Sequence, residues 1–89
     1  NNIICIETTS RPHVLELITT TSIMQFPGTI KELAKAYPQF CKLSQSCLAN
    51  LDNIKSVDFK LLQVTFINDS VEPFSRRQTK TIKKALNIL

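Results

Sequence analysis

Three cysteines, one histidine and a run of arginines and lysines near the C-terminus are the residues here whose chemistry reaches beyond packing. A thiol–disulfide catalyst needs Cys-x-x-Cys, so that a helix N-terminus lowers the pKa of the attacking thiol and a resolving thiol lies close by. Cys41 and Cys47 are instead separated by five residues, and Cys5 stands alone. The absence of a Cys-x2–4-Cys pair argues equally against a zinc site built from the cysteines and His13. His13 has no nucleophile near it in sequence and no Asp to orient it, so it reads as a surface or capping histidine. The sequence thus offers no catalytic residue, no metal ligand set and no cofactor motif. Free cysteine commonly behaves as a small buried hydrophobe, and Cys41 is read as core.

The basic cluster is the stronger signal. Residues 1–54 carry four basic and four acidic side chains, whereas residues 55–89 carry seven basic and three acidic, so the whole formal charge of +4 lies in the second part. Arg76, Arg77, Lys80, Lys83 and Lys84 form its core, and no acidic residue follows Glu72. A solvated helix face is the plainer meaning of such a run. Two details favour a partner-binding face. No intrahelical i,i+4 ion pair can neutralise it, and Arg76 and Arg77 stand in a first turn, where cations oppose the helix dipole. An acidic protein surface, RNA or anionic lipid would fit. No aromatic residue interleaves with the run, which disfavours base-specific reading of RNA.

The elements that position these residues follow from periodicity. Asn2 to Glu7 is a short apolar run, as in a strand covered on both faces. Ser10 and Pro12 suggest a helix start, and a helix from about Arg11 would turn Val14, Leu15, Leu17 and Ile18 inward. Thr19 to Ser22 is weak helix material, where fraying or a bend is expected. Phe26-Pro27-Gly28 is a break. Thr29-Ile30-Lys31-Glu32 has the capping-box pattern, with a helix to Tyr37 stopped by Pro38. A strand from about Cys41 to Cys47 follows, and residues 48–58 read as a short helical turn or a loop around Asp52-Asn53. Lys60 to Ile67 alternates with period two, Asn68-Asp69 signals a turn, and Val71 to Phe74 reads as the return strand, at an edge because of Pro73. Ser75-Arg76-Arg77-Gln78 opens a last helix with Ile82, Ala85, Leu86 and Leu89 on one face.

The order β-α-β-β-β-α predicts a single domain over residues 1–89 of the α/β class. It has a four-stranded mixed sheet flanked by helices: a right-handed βαβ unit plus an antiparallel hairpin, the minimal thioredoxin-like arrangement. A small helical domain with a β-wing, such as a winged helix, is the alternative. An apolar content of 43% and a charged content of 20% are those of a globular domain. The longest apolar run is far short of the ~20 residues that span a bilayer, and no cleavable signal peptide is visible.

Glu-Leu-Ala-Lys-Ala-Tyr-Pro-Gln-Phe-Cys-Lys-Leu-Ser-Gln-Ser-Cys (32–47) resembles a segment of the small thioredoxin-like accessory subunit of mitochondrial NADH:ubiquinone oxidoreductase, complex I. In that family a helix ends in Glu-Leu-Lys-Lys-Ala-Asn-Pro and passes into a strand that closes on a cysteine. Residues 60–66 and 81–89 are similar to the family's hairpin and closing helix. The Gly-Val-Arg-like helix opening of the family is missing, and residues 48–58 have no counterpart. Some thioredoxin-like mitochondrial ribosomal proteins share the domain.

The resemblance implies a non-catalytic accessory subunit on the matrix side of the mitochondrial inner membrane, in the matrix arm of complex I. Its partners would be other subunits of that assembly, with no cofactor and no small-molecule substrate. It also implies that Cys5 and Cys47 lie on neighbouring strands and could oxidise together. Alternatives are a mitochondrial ribosomal protein that lays its basic helix on rRNA, and a winged-helix-like nucleic-acid-binding module.

Overall fold

In the computed structural model, which describes residues 2–87, the chain folds mainly as antiparallel β-structure. Strands β1 (Ile3–Thr8), β2 (Val14–Thr19) and β3 (Ile23–Pro27) precede helix α1 (Ile30–Ala36). Strands β4 (Phe40–Ser44) and β5 (Cys47–Asn50), a 3-10 turn at Leu51–Asn53, and strands β6 (Ile54–Asp58), β7 (Gln63–Phe66) and β8 (Val71–Pro73) follow. A 3-10 turn at Arg76–Gln78 leads into helix α2 (Thr79–Ala85). One sheet has five strands in the order β3-β2-β1-β5-β4, the other three in the order β6-β7-β8, and every pairing is antiparallel.

This corrects the thioredoxin-like α/β expectation. Thioredoxin-type folds need a parallel βαβ unit, and the described residues contain none. The expected helix from Arg11 is strand β2. Val14, Leu15, Leu17 and Ile18 fit the i, i+3, i+4 spacing, but they also fit a strand buried on both faces, and the β-branched residues favour the strand. The Thr19–Ser22 segment is a hairpin turn: Thr19 Oγ1 accepts from the amides of Thr21 and Ser22 at 3.2 and 2.9 Å. The single strand expected over 41–47 is a hairpin. It breaks at Gln45 and Ser46, and the Ser44 hydroxyl accepts from the Ser46 amide at 3.1 Å. Within residues 48–58 the expected short helical turn forms, as the 3-10 turn at Leu51–Asn53, but strands β5 and β6 flank it where no strand was expected.

Other elements match their local signals. Thr29 caps α1, its hydroxyl accepting from the Glu32 amide at 3.2 Å and donating to the Glu32 carboxylate at 2.8 Å. The β7–β8 hairpin turns at Asn68 and Asp69, and Asp69 adopts φ 67, a left-handed conformation that Asp tolerates. Ser75, by contrast, makes no capping hydrogen bond. Leu89, expected on the buried face of the last helix, lies outside the described residues.

Two cores flank the five-stranded sheet. On one face Ile6, Leu15 and Leu48 meet Ile30 of α1, with Leu33, Ala34 and Phe40 packed around them. On the other, Ile4, Cys5, Leu43, Cys47 and Ala49 meet Val64 and Phe66 of β7, Phe74, and Ile82 of α2. A register shift in the β1–β2 ladder between Ile3 and Cys5 lets both Ile4 and Cys5 join this second core. Beyond the sheet end at Ile3, the side-chain amides of Asn50 and Asn53, both buried, donate to the Ile3 carbonyl at 2.9 and 2.7 Å. No helix among the described residues is long and apolar enough to cross a membrane.

Candidate nucleic-acid interface

Strand ends gather the exposed polar groups that are dispersed in sequence. At the C-terminal end of β1, the Thr8 amide donates to the Ser46 carbonyl at 3.0 Å, which fixes the β4–β5 turn beside the β1–β2 loop. That loop is self-braced: Thr9 Oγ1 accepts from the Arg11 amide at 3.1 Å and donates to the Val14 carbonyl at 2.8 Å. His13 sits in it with φ 59. The Gly28 amide donates to the His13 carbonyl at 2.9 Å, which draws the β3–α1 junction to the same place. Gly28 itself has φ 157, a conformation costly for any side chain. A shallow cleft here is lined by Thr9, Arg11, His13, Lys31 and Gln45.

A fourth segment arrives from the second sheet. The Ser75 amide donates to the Leu43 carbonyl at 2.9 Å, one residue before β4 ends. Arg76 and Arg77 follow at once in the 3-10 turn, both exposed. Arg11 and Lys31 therefore meet His13 and Gln45 at one end of the large sheet, and Arg76 and Arg77 follow a residue anchored near the same end of β4. Their acidic neighbours are engaged elsewhere. Glu32 takes the Thr29 hydroxyl, and Glu7 and Glu72 are half-buried and hydrogen-bond each other. The exposed Lys55–Asp69 ion pair of 2.8 Å lies toward the opposite end, where the Ile67 amide meets the Asn53 carbonyl.

The basic face expected on the last helix is divided. Lys80 and Lys84 are exposed on α2. Lys83 is half-buried, with its ammonium 5.0 Å from the centroid of the Phe59 ring, which in turn packs edge-on against Phe74 at 5.9 Å. Arg76 and Arg77 project from the preceding turn, nearer the loop cluster. Arg11, Lys31 and Gln45 were not singled out from sequence, and His13 was expected in a helix that does not form. Their only sequence signal is position: each borders a strand or helix end.

All three cysteines are free and buried, on the face of the large sheet that meets the small one. Because Cys5 pairs with Ala49 and Glu7 with Cys47 across the β1–β5 ladder, Cys5 and Cys47 are diagonal neighbours on one face. The Cys5 thiol donates to the Glu7 carboxylate at 3.6 Å. Its hydrogen bond with Cys47, then burial, then the neighbouring negative groups push its pKa far above the thiol range. Burial lifts the Cys41 thiol as well, with Cys47 adding to it. Thiols held in this way are not primed for attack.

Burial, and then the hydrogen bond and charge of Glu7, push Glu72 up to about 8 from its ordinary 4.5. An unfolded chain ionises Glu72 near 4.5 while the folded one keeps the proton. This stability is therefore complete below pH 4.5 and is lost as pH rises through about 8. With chelator present, the urea midpoint should fall between pH 5 and 8.5. Glu72→Gln, which cannot ionise, should flatten that slope.

Taken together, the geometry defines a β-rich module with a basic, loop-built end, a form suited to an anionic polymer. The chain matches the family model of the LytTr DNA-binding domain over residues 1–87, and it belongs to that family. It is similar in structure to the "LytTr DNA-binding domain of putative methyl-accepting/DNA response regulator from Bacillus cereus", with a TM-score of 0.84 and 15% sequence identity. That match covers 98% of this chain and 83% of the other. No curated protein matches the sequence.

These findings overturn the complex I resemblance, whose motifs were short helix-stop and hairpin signals that recur in unrelated folds. The respiratory-chain function, the partners in a mitochondrial assembly and the matrix-side location rested on that resemblance and go with it. The family is a DNA-binding one, not a catalytic one. Of the alternatives, the nucleic-acid class fits better, although neither rRNA nor a winged-helix architecture is what the findings support.

Proposed function

We propose that this chain is a DNA-binding domain that presents the loop end of its large sheet to duplex DNA. Convergence of four chain segments carrying Arg11, His13, Lys31, Gln45, Arg76 and Arg77 at one end is the observation that carries it. The four constant cations would neutralise phosphates and fix the register, while His13 and Gln45 can offer hydrogen bonds to base edges. Reading by loops also fits the helices. At seven residues each, α1 and α2 have their apolar sides committed to the two cores.

A salt titration tests this. With about four phosphates neutralised, log K should fall with log[salt] at a slope near −3.6, roughly a 10²-fold loss between 50 and 200 mM salt. Fluorescence anisotropy with a labelled duplex measures it. Absence of duplex binding at 50 mM salt, or affinity indifferent to salt, would overturn the reading.

A further inference from the structure

Between the two sheets, at the C-terminal half of β1, lies a group of side chains that the DNA-facing end does not use. One ligand atom each from Cys5, Glu7 and Cys47 lies within 4.8 Å of the others. Both cysteines are buried and Glu7 is half-buried. Glu72 of β8 reaches across from the small sheet to hydrogen-bond the Glu7 carboxyl. Among the described residues the sole ion pair is Lys55–Asp69, so none of their cations is paired with this group. Four acidic functions thus converge in the interior with no positive charge against them.

We infer that Cys5, Glu7 and Cys47 form a binding site for a thiophilic divalent cation, Zn2+ above all, with Glu72 as the positioning residue that orients Glu7. The donor set of two sulfurs and a carboxylate suits Zn2+, and it disfavours Mg2+ and Ca2+, which take oxygen ligands. The spacing agrees. Zn–S bonds of about 2.3 Å in a tetrahedral site put two sulfurs about 3.8 Å apart, so donors within 4.8 Å need only a small contraction. A disulfide asks for more, since its Cα atoms stand about 4.4–6.8 Å apart whereas diagonal strand neighbours lie roughly 7–8 Å apart. The strands supply what the sequence spacing lacks: antiparallel pairing of β1 with β5 unites residues 42 positions apart, Cys5 and Cys47.

On binding, both thiols release their protons to solvent and the sulfurs become thiolates. The Glu72 carboxyl, which interacts with that of Glu7, would orient Glu7 toward a bound ion.

Co2+ titration of the chelator-treated protein provides the test. One equivalent should produce a thiolate-to-cobalt charge-transfer band in the near ultraviolet and the visible bands of a tetrahedral site, and Zn2+ should bleach both. Cys5→Ser and Cys47→Ser should abolish the charge-transfer intensity. Glu72→Gln should keep the bands and weaken the affinity about 10–100-fold. Cys41→Ala should leave spectrum and stoichiometry unchanged. No bands in the parent protein, a stoichiometry other than one, or bands lost in Cys41→Ala but kept in Cys47→Ser would overturn the assignment. The parent titration needs no variant to fold. Its outcome is also independent of DNA binding, so the two readings fail separately.

Discussion

Phe66→Ala is expected to cost about 3–5 kcal/mol, a large part of what keeps a domain of this size folded. Phe66 is 0% exposed and ranks among the largest fully buried side chains. It stands on β7 and packs with Ile4, Leu43, Phe74 and Ile82 in the core that joins the small sheet and α2 to the large sheet. Among the described residues, this is the buried apolar cluster that includes strands of both sheets. Loss of the ring removes burial and leaves a cavity that the flanking strands, each fixed by its ladder, can close only in part. A domain of this size has about 5–15 kcal/mol to lose. At 4–8 °C per kcal/mol, the melting temperature should fall by roughly 12–40 °C. Thermal and urea unfolding followed by circular dichroism would show it. A shift of under ~1 kcal/mol would mean that the sheets are not held through this residue. Phe66→Leu, which keeps most of the volume, should cost less than half as much.

Reversing the charge of Arg76 and Arg77 together, to Glu, should have the largest effect on binding. Two phosphate contacts would be lost and two repulsions introduced, so duplex affinity at low salt should fall at least ~100-fold and the salt slope should shrink by about two. Folding should respond in the opposite sense. Both residues precede α2, whose first turn has no acidic residue, and Ser75 makes no capping bond. Cations at that end oppose the helix dipole, so acidic replacements should stabilise by about 0.3–1 kcal/mol each. A protein that is more stable yet no longer binds DNA separates function from fold in one variant. Lys80→Glu with Lys84→Glu, on α2 beyond the loop cluster, should lose much less. Equal losses in the two double variants would place the interface on the helix rather than on the loops. Melting curves and anisotropy on the same samples give both readouts.

Local signals carried the sequence reading where a single element was at stake. The Thr29–Glu32 box marked the start of α1, because a capping box is a contact between neighbours. The β7–β8 hairpin was legible because Val64 and Phe66 alternate with polar residues and Asn68-Asp69 turns the chain. The large sheet was not legible, for a physical reason. It is covered by α1 on one face and by the small sheet on the other, so β2 and β5 lack the alternation that exposes a strand in sequence. Val-Leu-Glu-Leu-Ile-Thr satisfies both periods over so short a span, and its partners in the ladder decide.

The basic end shows the same division. Arg76 and Arg77 stood out as a charge run, whereas Arg11, Lys31 and Gln45 are isolated residues that only strand pairing brings together. The clustering of Cys5, Glu7 and Cys47 is likewise a property of the β1–β5 register and leaves no trace in residue spacing.

The twin asparagine clamp on the Ile3 carbonyl has a practical consequence for anyone attaching something to this molecule. With Asn50 and Asn53 holding Ile3, and the Thr20 amide bonded to the Asn2 carbonyl at 3.0 Å, the start of β1 is anchored at the pole opposite Arg11, Gln45 and Arg77. A fluorophore, an affinity handle or a fused protein joined ahead of Ile3 departs from that far pole. It leaves the basic loops unobstructed, so the anisotropy experiments above can carry their label on the protein as readily as on the duplex.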